Sequence, residues 1–553
     1  MRYVVVGGGI SGVSCAQEIA RLKPQSRVTI LSETETVAEV RQEVLYHLDE
    51  ITVYERSTDK FHLDNPDINI IKCKVLRINY KTQIITSEGM FVDSYYHPLH
   101  IPYDRLCLCT GARPKLIANH PNVIGLRDQH SVEELLGRLR TARRVAVVGN
   151  GGIALELIHE LTFCEVDWVV KSAYIGSTYF DASASAFIMP ALHARAAGTN
   201  STTQSESTCS NTITSHTATA EAGEGEVSGE GYALGPEWIA KSAAKTFLQE
   251  QRDSGNGENG SLQVRRGFLA GTYYAYYTVL IVMMMLYTQD VPTTTAVSSD
   301  YSLYLCTTSG QVIGCDFVVS ATGVQPNPLP ATEGVHSTEG PKCTKDGYIC
   351  VDTTMHTSVA HVFAAGDCCE LPLSGMSNVE SSQNHFFQLR LWSQAHWMGV
   401  LAAQNMCNCA DNYSTEMKFE LFTHITRFFG YKVVMLGRFN AQGLGQETEA
   451  LTRTLEVTAD GIKHHTTTQQ STGSNIDGAS RQNSSAVEIW VRVTPGREYV
   501  KLTVWRGKLV GALLVGDTEL EEVCENLILS ALDISEVGVG LLDPDIDIAD
   551  YFD

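Results

Sequence analysis

Short apolar runs alternate with helical periods along this chain, and two of those alternations share one form. In "YVVVGGGISGVSCAQEI", residues 3–19, an apolar run ends in a glycine loop and an amphipathic helix follows. Residues 144–160, "RVAVVGNGGIALELIHE", repeat that form. Alternation of β-rich runs with helical patterns predicts α/β architecture built on parallel sheets. Beyond residue 417 the pattern changes. "FELFTHITRFFGYKVVMLGRF" and "REYVKLTVWRGKLVGALLVGD" read as hairpins and strands, and "TELEEVCENLILSALDI" reads as a helix, so a separate α+β domain is expected.

Three stretches interrupt the alternation. Residues 196–262 are rich in Ser, Thr, Gly and Glu and bury too little apolar surface to offset their ordering entropy, which predicts a flexible insert. A second polar stretch, His464 to Ser485, reads as another insert. "AYYTVLIVMMMLY", Ala275 to Tyr287, is uncharged and apolar but shorter than the roughly 20 residues of a membrane span. A span there would also put two halves of one sheet on opposite sides of a membrane. This run is therefore expected to be a buried or poorly ordered insert, with no membrane anchoring.

Composition narrows the class. The 553 residues allow two to four domains, and 43% apolar with 19% charged residues is the balance of a soluble globular protein. A net charge of −22 argues against nucleic acid as a direct ligand. The 15 cysteines include no Cys-x-x-Cys pair, so neither a zinc ribbon nor a thioredoxin-type dithiol is expected, and no metal site. Reduced, mostly buried thiols fit a cytoplasmic or nuclear protein. The first strand begins at once with "MRYVVV", without a signal peptide.

The glycine loops carry the chemistry. Gly7, Gly9 and Gly12 form Gly-x-Gly-x-x-Gly directly after a strand. Such glycines allow the tight turn, the approach of a pyrophosphate to the backbone, and close packing of helix on strand. The helix N-terminus then offers free N–H groups and partial positive charge to phosphates. An acidic residue at the end of the next strand would accept ribose hydrogen bonds; Ser32 aligns there with Glu33 one place later, and Glu33 is favoured. The second loop has Gly149, Gly151 and Ala154. After its next strand stands Lys171, which cannot accept from a 2′-hydroxyl but can meet a 2′-phosphate, so NADPH is admitted. Two such loops in one chain predict two nucleotides.

Further signatures resemble one kind of protein. "LCLCTGARPK", with Thr110 and Gly111, and "FVVSATGVQPN", with Gly323, resemble the crossings between the FAD domain and the inserted NAD(P) domain of two-dinucleotide flavoproteins. "HVFAAGDC" is similar to their second FAD motif, which implies that Gly366 and Asp367 hold the ribityl chain. The same resemblance implies Glu156 near the nicotinamide. It also implies that the helix in "FQLRLWSQAHWMGVLAAQNM" points at the flavin, with Trp392 and Gln394 lining that site. "GNGGIALEL", "SATGV", "ALGPEW", "RLWSQA" and "ENLILSALDI" with the ending "LLDPDIDIADYFD" together resemble the pyridine nucleotide-disulfide oxidoreductase domain-containing protein 1 family. The C-terminal part also looks like the small domain of NAD(P)H-nitrite-reductase-type flavoproteins.

The resemblance implies a glutathione-reductase-like α/β fold with two Rossmann-like domains, the NAD(P) domain inserted in the FAD domain. The expected boundaries are 1–116 and 316–410 for FAD, 117–315 for NAD(P) with a flexible insert at about 196–300, and 411–553 for the α+β domain. That last part holds the polar insert 460–487 and an acidic tail, 543–553. Superfamily members with a redox disulfide in the first domain carry its cysteines on a helix within the stretch that here reads "ETETVAEVRQEVLYHLDEITVYERS", which has no cysteine. The implied activity is therefore an FAD-dependent NAD(P)H oxidoreductase without a redox disulfide. Its chemistry rests on the flavin rather than on a catalytic side chain, and its acceptor is unnamed. Oxidative-stress protection and a protein partner, the catalytic subunit of the tRNA-splicing ligase, are implied as well. The alternative is a flavin- and NAD(P)H-gated binding module with little turnover, motivated by Asp543, Asp545, Asp547, Asp550 and Asp553 alternating with apolar residues.

Overall fold

The structure, a computed structural model, describes the chain apart from residues 41–52, 93–94, 162–163, 173, 197–275, 282–283, 288–300, 308–311, 333–339, 372–384, 410–419, 445–449, 459–460, 470–486 and 545–553. It divides into two compact units: Met1–Arg113 with Val324–His424, and Pro114–Gly323 with Ile425–Asp553.

The first unit is centred on a five-stranded parallel sheet in the order Val362–Ala364, Arg105–Leu108, Arg2–Val6, Arg27–Ser32, Ile68–Lys72. The central strands are near-continuous apolar runs because both faces are covered. Val5, Ile30, Leu106 and Phe363 are fully buried between the layers. Helix Ile10–Leu22 packs through small residues, Ser11, Gly12, Ser14, Cys15 and Ala16, all buried. It crosses helix Trp392–Met406 so closely that a Cβ on Gly399 would collide with the Ser11 carbonyl. The helix stops at Lys23, whose N–H bonds the Ile19 carbonyl, because Pro24 disfavours helical backbone in the residue before it. In the cysteine-free stretch 33–57, Thr36–Val40 and Val53–Ser57 pair as antiparallel strands.

The second unit holds another five-stranded parallel sheet, ordered Val123–Ile124, Phe317–Ser320, Arg144–Val148, Glu165–Val170, Tyr276–Ile281. Its last strand corrects an expectation. The apolar run Ala275 to Tyr287 supplies two strands: Tyr276–Ile281 on the sheet edge, and Met284–Tyr287 pairing antiparallel with Leu303–Thr307. An uncharged run of this length shows no polar alternation to mark it as a strand, so in sequence it reads as an insert. Of the expected flexible insert at about 196–300, residues 197–275 and 288–300 lie outside the described residues.

The same unit carries a seven-stranded sheet, ordered Thr423–Phe428, Tyr431–Gly437, Lys508–Val515, Glu498–Trp505, Val487–Thr494, Ala450–Thr458, Gly461–Gln469. Part of the expected polar insert 460–487 is therefore strand. Gly461–Gln469 pairs antiparallel with Ala450–Thr458, since a threonine-rich run suits a pleated surface despite its polarity. The hairpin between Phe428 and Tyr431 turns on Phe429 at φ 51° and Gly430 at φ 89°, the two-residue turn whose twist matches the strands. Helix Glu521–Ser530 opens with two glutamates at its positive end. Of the acidic tail, only Asp543 and Pro544 are described. Among the described residues no helix is long and apolar enough to cross a membrane.

Candidate dinucleotide sites

In the first unit the motif residues meet at the C-terminal end of one parallel sheet. Gly7, after Arg2–Val6, has φ +119° and donates its N–H to the Leu31 carbonyl at 2.8 Å. The three glycines do different work. A Cβ on Gly7 would collide with the Cys109 carbonyl and one on Gly12 with the Gly7 carbonyl, whereas one on Gly9 would meet nothing within 4 Å. Helix Ile10–Leu22 starts at Gly9 with no side-chain cap, so its first N–H groups face that open space. A bare helix N-terminus beside a side-chain-free cradle fits a pyrophosphate.

The neighbouring strands bring the other candidates to the same end. Ser32 is 3% exposed and its Oγ accepts from the Thr34 N–H at 3.3 Å, while Glu33 beside it is exposed and able to reach a ligand. Thr110 and Gly111 follow Arg105–Leu108. Asn327 pins both, donating Nδ2–H to the Thr110 carbonyl at 2.7 Å and its backbone N–H to the Gly111 carbonyl at 3.0 Å. Gly366, at φ +81°, follows Val362–Ala364; a Cβ on it would stand 2.5 Å from Ser11 Oγ, which donates to the Ala365 carbonyl at 3.2 Å. Asp367 lies half-buried in the next turn.

Two candidates stand differently from the rest. Trp392, at the start of its helix, is 61% exposed. Gln394 is buried, and its amide accepts from the Leu389 N–H at 2.9 Å and donates to the Phe387 carbonyl at 3.1 Å, holding the chain that enters the helix. Of the closely spaced cysteines, Cys107, Cys109, Cys368, Cys369 and Cys407 are buried free thiols and Cys409 is exposed.

The second unit repeats the first loop's backbone. Gly149, at φ +137°, donates to the Val169 carbonyl at 3.0 Å, and a Cβ on it would collide with the Ala321 carbonyl. Buried Trp168 donates its indole N–H to the Gly149 carbonyl at 2.8 Å. Helix Gly152–Glu160 starts at Gly151 without a side-chain cap, and the nearest atom to a Cβ on Gly151 would be Thr178 Oγ1, 3.6 Å away. Ala154 is fully buried in the helix's first turns. Lys171 is exposed just past Glu165–Val170. Glu156 reaches solvent on the helix flank, yet close neighbours partly desolvate its carboxyl and raise its pKa. Gly323, at φ +93°, follows Phe317–Ser320; the Ser320 and Thr322 hydroxyls both donate to the Lys115 carbonyl, at 2.7 and 2.9 Å.

Sequence reasoning passed over Asn150, the residue between the two glycines. Its Oδ1 accepts from the Gly176 N–H at 2.5 Å, and its Nδ2 donates to the Tyr174 carbonyl and to Ser177 Oγ, each at 2.9 Å. An amide inside a glycine loop was the available signal.

Comparison with known proteins agrees with this geometry. The sequence profile of the pyridine nucleotide-disulphide oxidoreductase family matches residues 1–228 and 285–399. Pyridine nucleotide-disulfide oxidoreductase domain-containing protein 1 of Homo sapiens is 34% identical over 100% of this chain and 98% of its own length. Its namesake in Danio rerio is 36% identical with the same coverage. The structure of a water-forming NADH oxidase from Lactobacillus brevis bound to NADH is similar in fold, with a TM-score of 0.56 at 13% identity over 99% of this chain and 94% of that one. FAD is the cofactor, and NAD(P)H the electron donor, of this kind of enzyme. With glycine loops, parallel sheets and full-length relatives in agreement, the chain belongs to the pyridine nucleotide-disulphide oxidoreductase family.

Proposed function

We propose that this chain is an FAD-dependent NAD(P)H oxidoreductase that works without a redox disulfide, the first glycine loop holding FAD and the second admitting NAD(P)H. The observation that carries the reading is the duplicated cradle: two uncapped helix N-termini, each behind a glycine whose place no side chain can take. FAD, when bound, would supply two-electron redox chemistry between NAD(P)H and the acceptor. The chain's own part is to bind and orient. Gly7, Gly9 and Gly12 cradle the FAD pyrophosphate, Glu33 accepts from the adenosine ribose, and Asp367 with Gly366 and the Thr110–Gly111 turn hold the ribityl side. Gly149, Gly151 and Ala154 receive the NAD(P)H pyrophosphate, Lys171 faces the ribose 2′ position, and Glu156 and Gly323 border the nicotinamide half. No cysteine occurs between Cys15 and Cys73, so this region offers no thiol for a flavin-to-disulfide relay.

Its setting, in this reading, is protection against oxidation, with the tRNA-splicing ligase catalytic subunit as protein partner. Purified protein should be yellow and should bleach anaerobically with NADH or NADPH. Reoxidation against a panel of oxygen, quinones, metal centres and candidate proteins then names the acceptor. A preparation that takes up no FAD rejects the reading.

A further inference from the structure

The seven-stranded sheet contains a lysine with no exposure at all. Lys501, in Glu498–Trp505, donates its ammonium to Asp181 Oδ2 at 2.5 Å and to the Asn440 side-chain carbonyl. Asp181 is 1% exposed, and its other oxygen accepts from the backbone N–H groups of Ser183 and Ala184, at 2.8 and 2.9 Å, and from Ser183 Oγ at 2.7 Å. Ser183 Oγ also meets the hydroxyl of buried Tyr499 at 2.5 Å, two residues from Lys501 on the same strand. Lys501 lies 320 positions beyond Asp181 in sequence, so its ammonium, steadied by Asn440, ties a distant strand to that carboxylate. A buried ion pair is a poor way to add stability, because apolar residues of the same volume serve as well or better. It does fix where Asp181 stands.

Asp181 ends a segment that lies against the second glycine loop. At the other end, Asn150 bonds Tyr174, Gly176 and Ser177. Between these anchors, Tyr179 is buried and stacks on Phe428, with ring centroids 6.0 Å apart and planes at 24°. Its hydroxyl stands 2.6 Å from where a Cβ on Gly152 would be, and Thr178 Oγ1 stands beside Gly151. The segment Tyr174–Asp181 is thus pinned at both ends and walls the N-terminus of helix Gly152–Glu160.

Resting on the reading that this loop receives NAD(P)H, we propose that Lys501 is a positioning residue for the donor site. Through Asp181 it holds Tyr174–Asp181 against the glycine loop, so the C-terminal sheet is part of the nicotinamide nucleotide scaffold. The test is Lys501→Met in the full chain, reading flavin content by absorbance and anaerobic flavin reduction against NADH and NADPH concentration by stopped flow. Flavin content should hold, half-saturating NAD(P)H should rise about tenfold, and the limiting rate should stay within about twofold, the signature of lost ground-state binding. Asn150→Ala should give the same split, and the double variant should fall short of the product of the two, because both act on one segment. If Lys501→Met does not fold, the charge-free pair D181N/K501Q takes its place in the same measurements. A folded variant with unchanged half-saturation, flavin lost in step with NAD(P)H binding, or fully multiplicative effects would overturn the assignment. Wild-type protein that holds FAD yet is not reduced by NAD(P)H strikes the reading of the second loop itself, and does so before any variant is made.

Discussion

A methyl group on Gly7 would strike the Cys109 carbonyl, and one on Gly149 would strike the Ala321 carbonyl. Each glycine also donates to a carbonyl at or near the end of the neighbouring strand, Leu31 in one unit and Val169 in the other. Beyond that shared backbone the two loops are braced by different means. The first is enclosed chiefly by main chain, the Gly7 carbonyl against Gly12 and the Ser11 carbonyl against Gly399, with one side-chain tie from the Ser11 hydroxyl to the Ala365 carbonyl. The second is fastened by side chains, with Asn150 tying down Tyr174–Ser177 and Tyr179 closing over Gly152. Main-chain packing in the middle of a core opens only with the unit around it, whereas side-chain ties release locally. That contrast suits a resident cofactor in one loop and an exchanging nucleotide in the other.

The comparison can be broken most sharply at its common point. Gly7→Ala and Gly149→Ala each force a strained backbone and a carbonyl clash, together on the order of 3–5 kcal/mol locally. Gly7→Ala should yield colourless protein, while Gly149→Ala should stay yellow and lose reduction by NAD(P)H. If both variants lose flavin equally, the division of labour is wrong. Next in size, Asp367→Ala removes a charged hydrogen-bonding group, roughly 1.5–3 kcal/mol, and should weaken FAD retention on dilution by about ten- to a hundredfold. Undiminished flavin content would remove Asp367 from the site.

Lys171→Glu should shift the NADPH-to-NADH preference toward NADH by about tenfold, since a carboxylate accepts from a 2′-hydroxyl and repels a 2′-phosphate. An unchanged ratio rejects the phosphate reading. The smallest effect is expected at Glu156. Its carboxyl is raised above the ordinary 4.5 by desolvation, so the folded chain keeps that proton longer than the unfolded one. The stabilisation is complete below pH 4.5 and is lost as pH rises through the raised value. Glu156→Gln should flatten that part of the Tm–pH curve, and an identical slope in both proteins would contradict it.

How much of this was legible in the sequence depends on how local each feature is. Gly7, Gly9, Gly12, Gly149 and Gly151 announce themselves because a tight turn after an apolar strand restricts the residue type there and in the few positions that follow. The strand ends carrying Glu33 and Lys171 follow from the same alternation, whereas Thr110 and Gly366 were named from resemblance. Asn150 was visible but mute, since its partners Tyr174, Gly176 and Ser177 are set by how the loop folds back. Lys501 was out of reach, because nothing local marks a lysine in "EYVKLTVW" as buried against Asp181. The run Tyr276–Ile281 misled for the opposite reason: a fully apolar strand has no alternation to declare which sheet it joins. Trp392 and Gln394 were named from resemblance; Gln394 already has both ends of its amide in local hydrogen bonds.

Trp168 gives the second loop its own optical gauge. Its indole is fully buried and bonded to the Gly149 carbonyl, so its emission depends on whether that carbonyl stays in place. Reduced nicotinamide absorbs where indole emits, and bound FAD would be a separate chromophore. With the other five tryptophans replaced by Phe, quenching of Trp168 emission against the flavin spectrum would time the arrival of the donor separately from the transfer of its electrons.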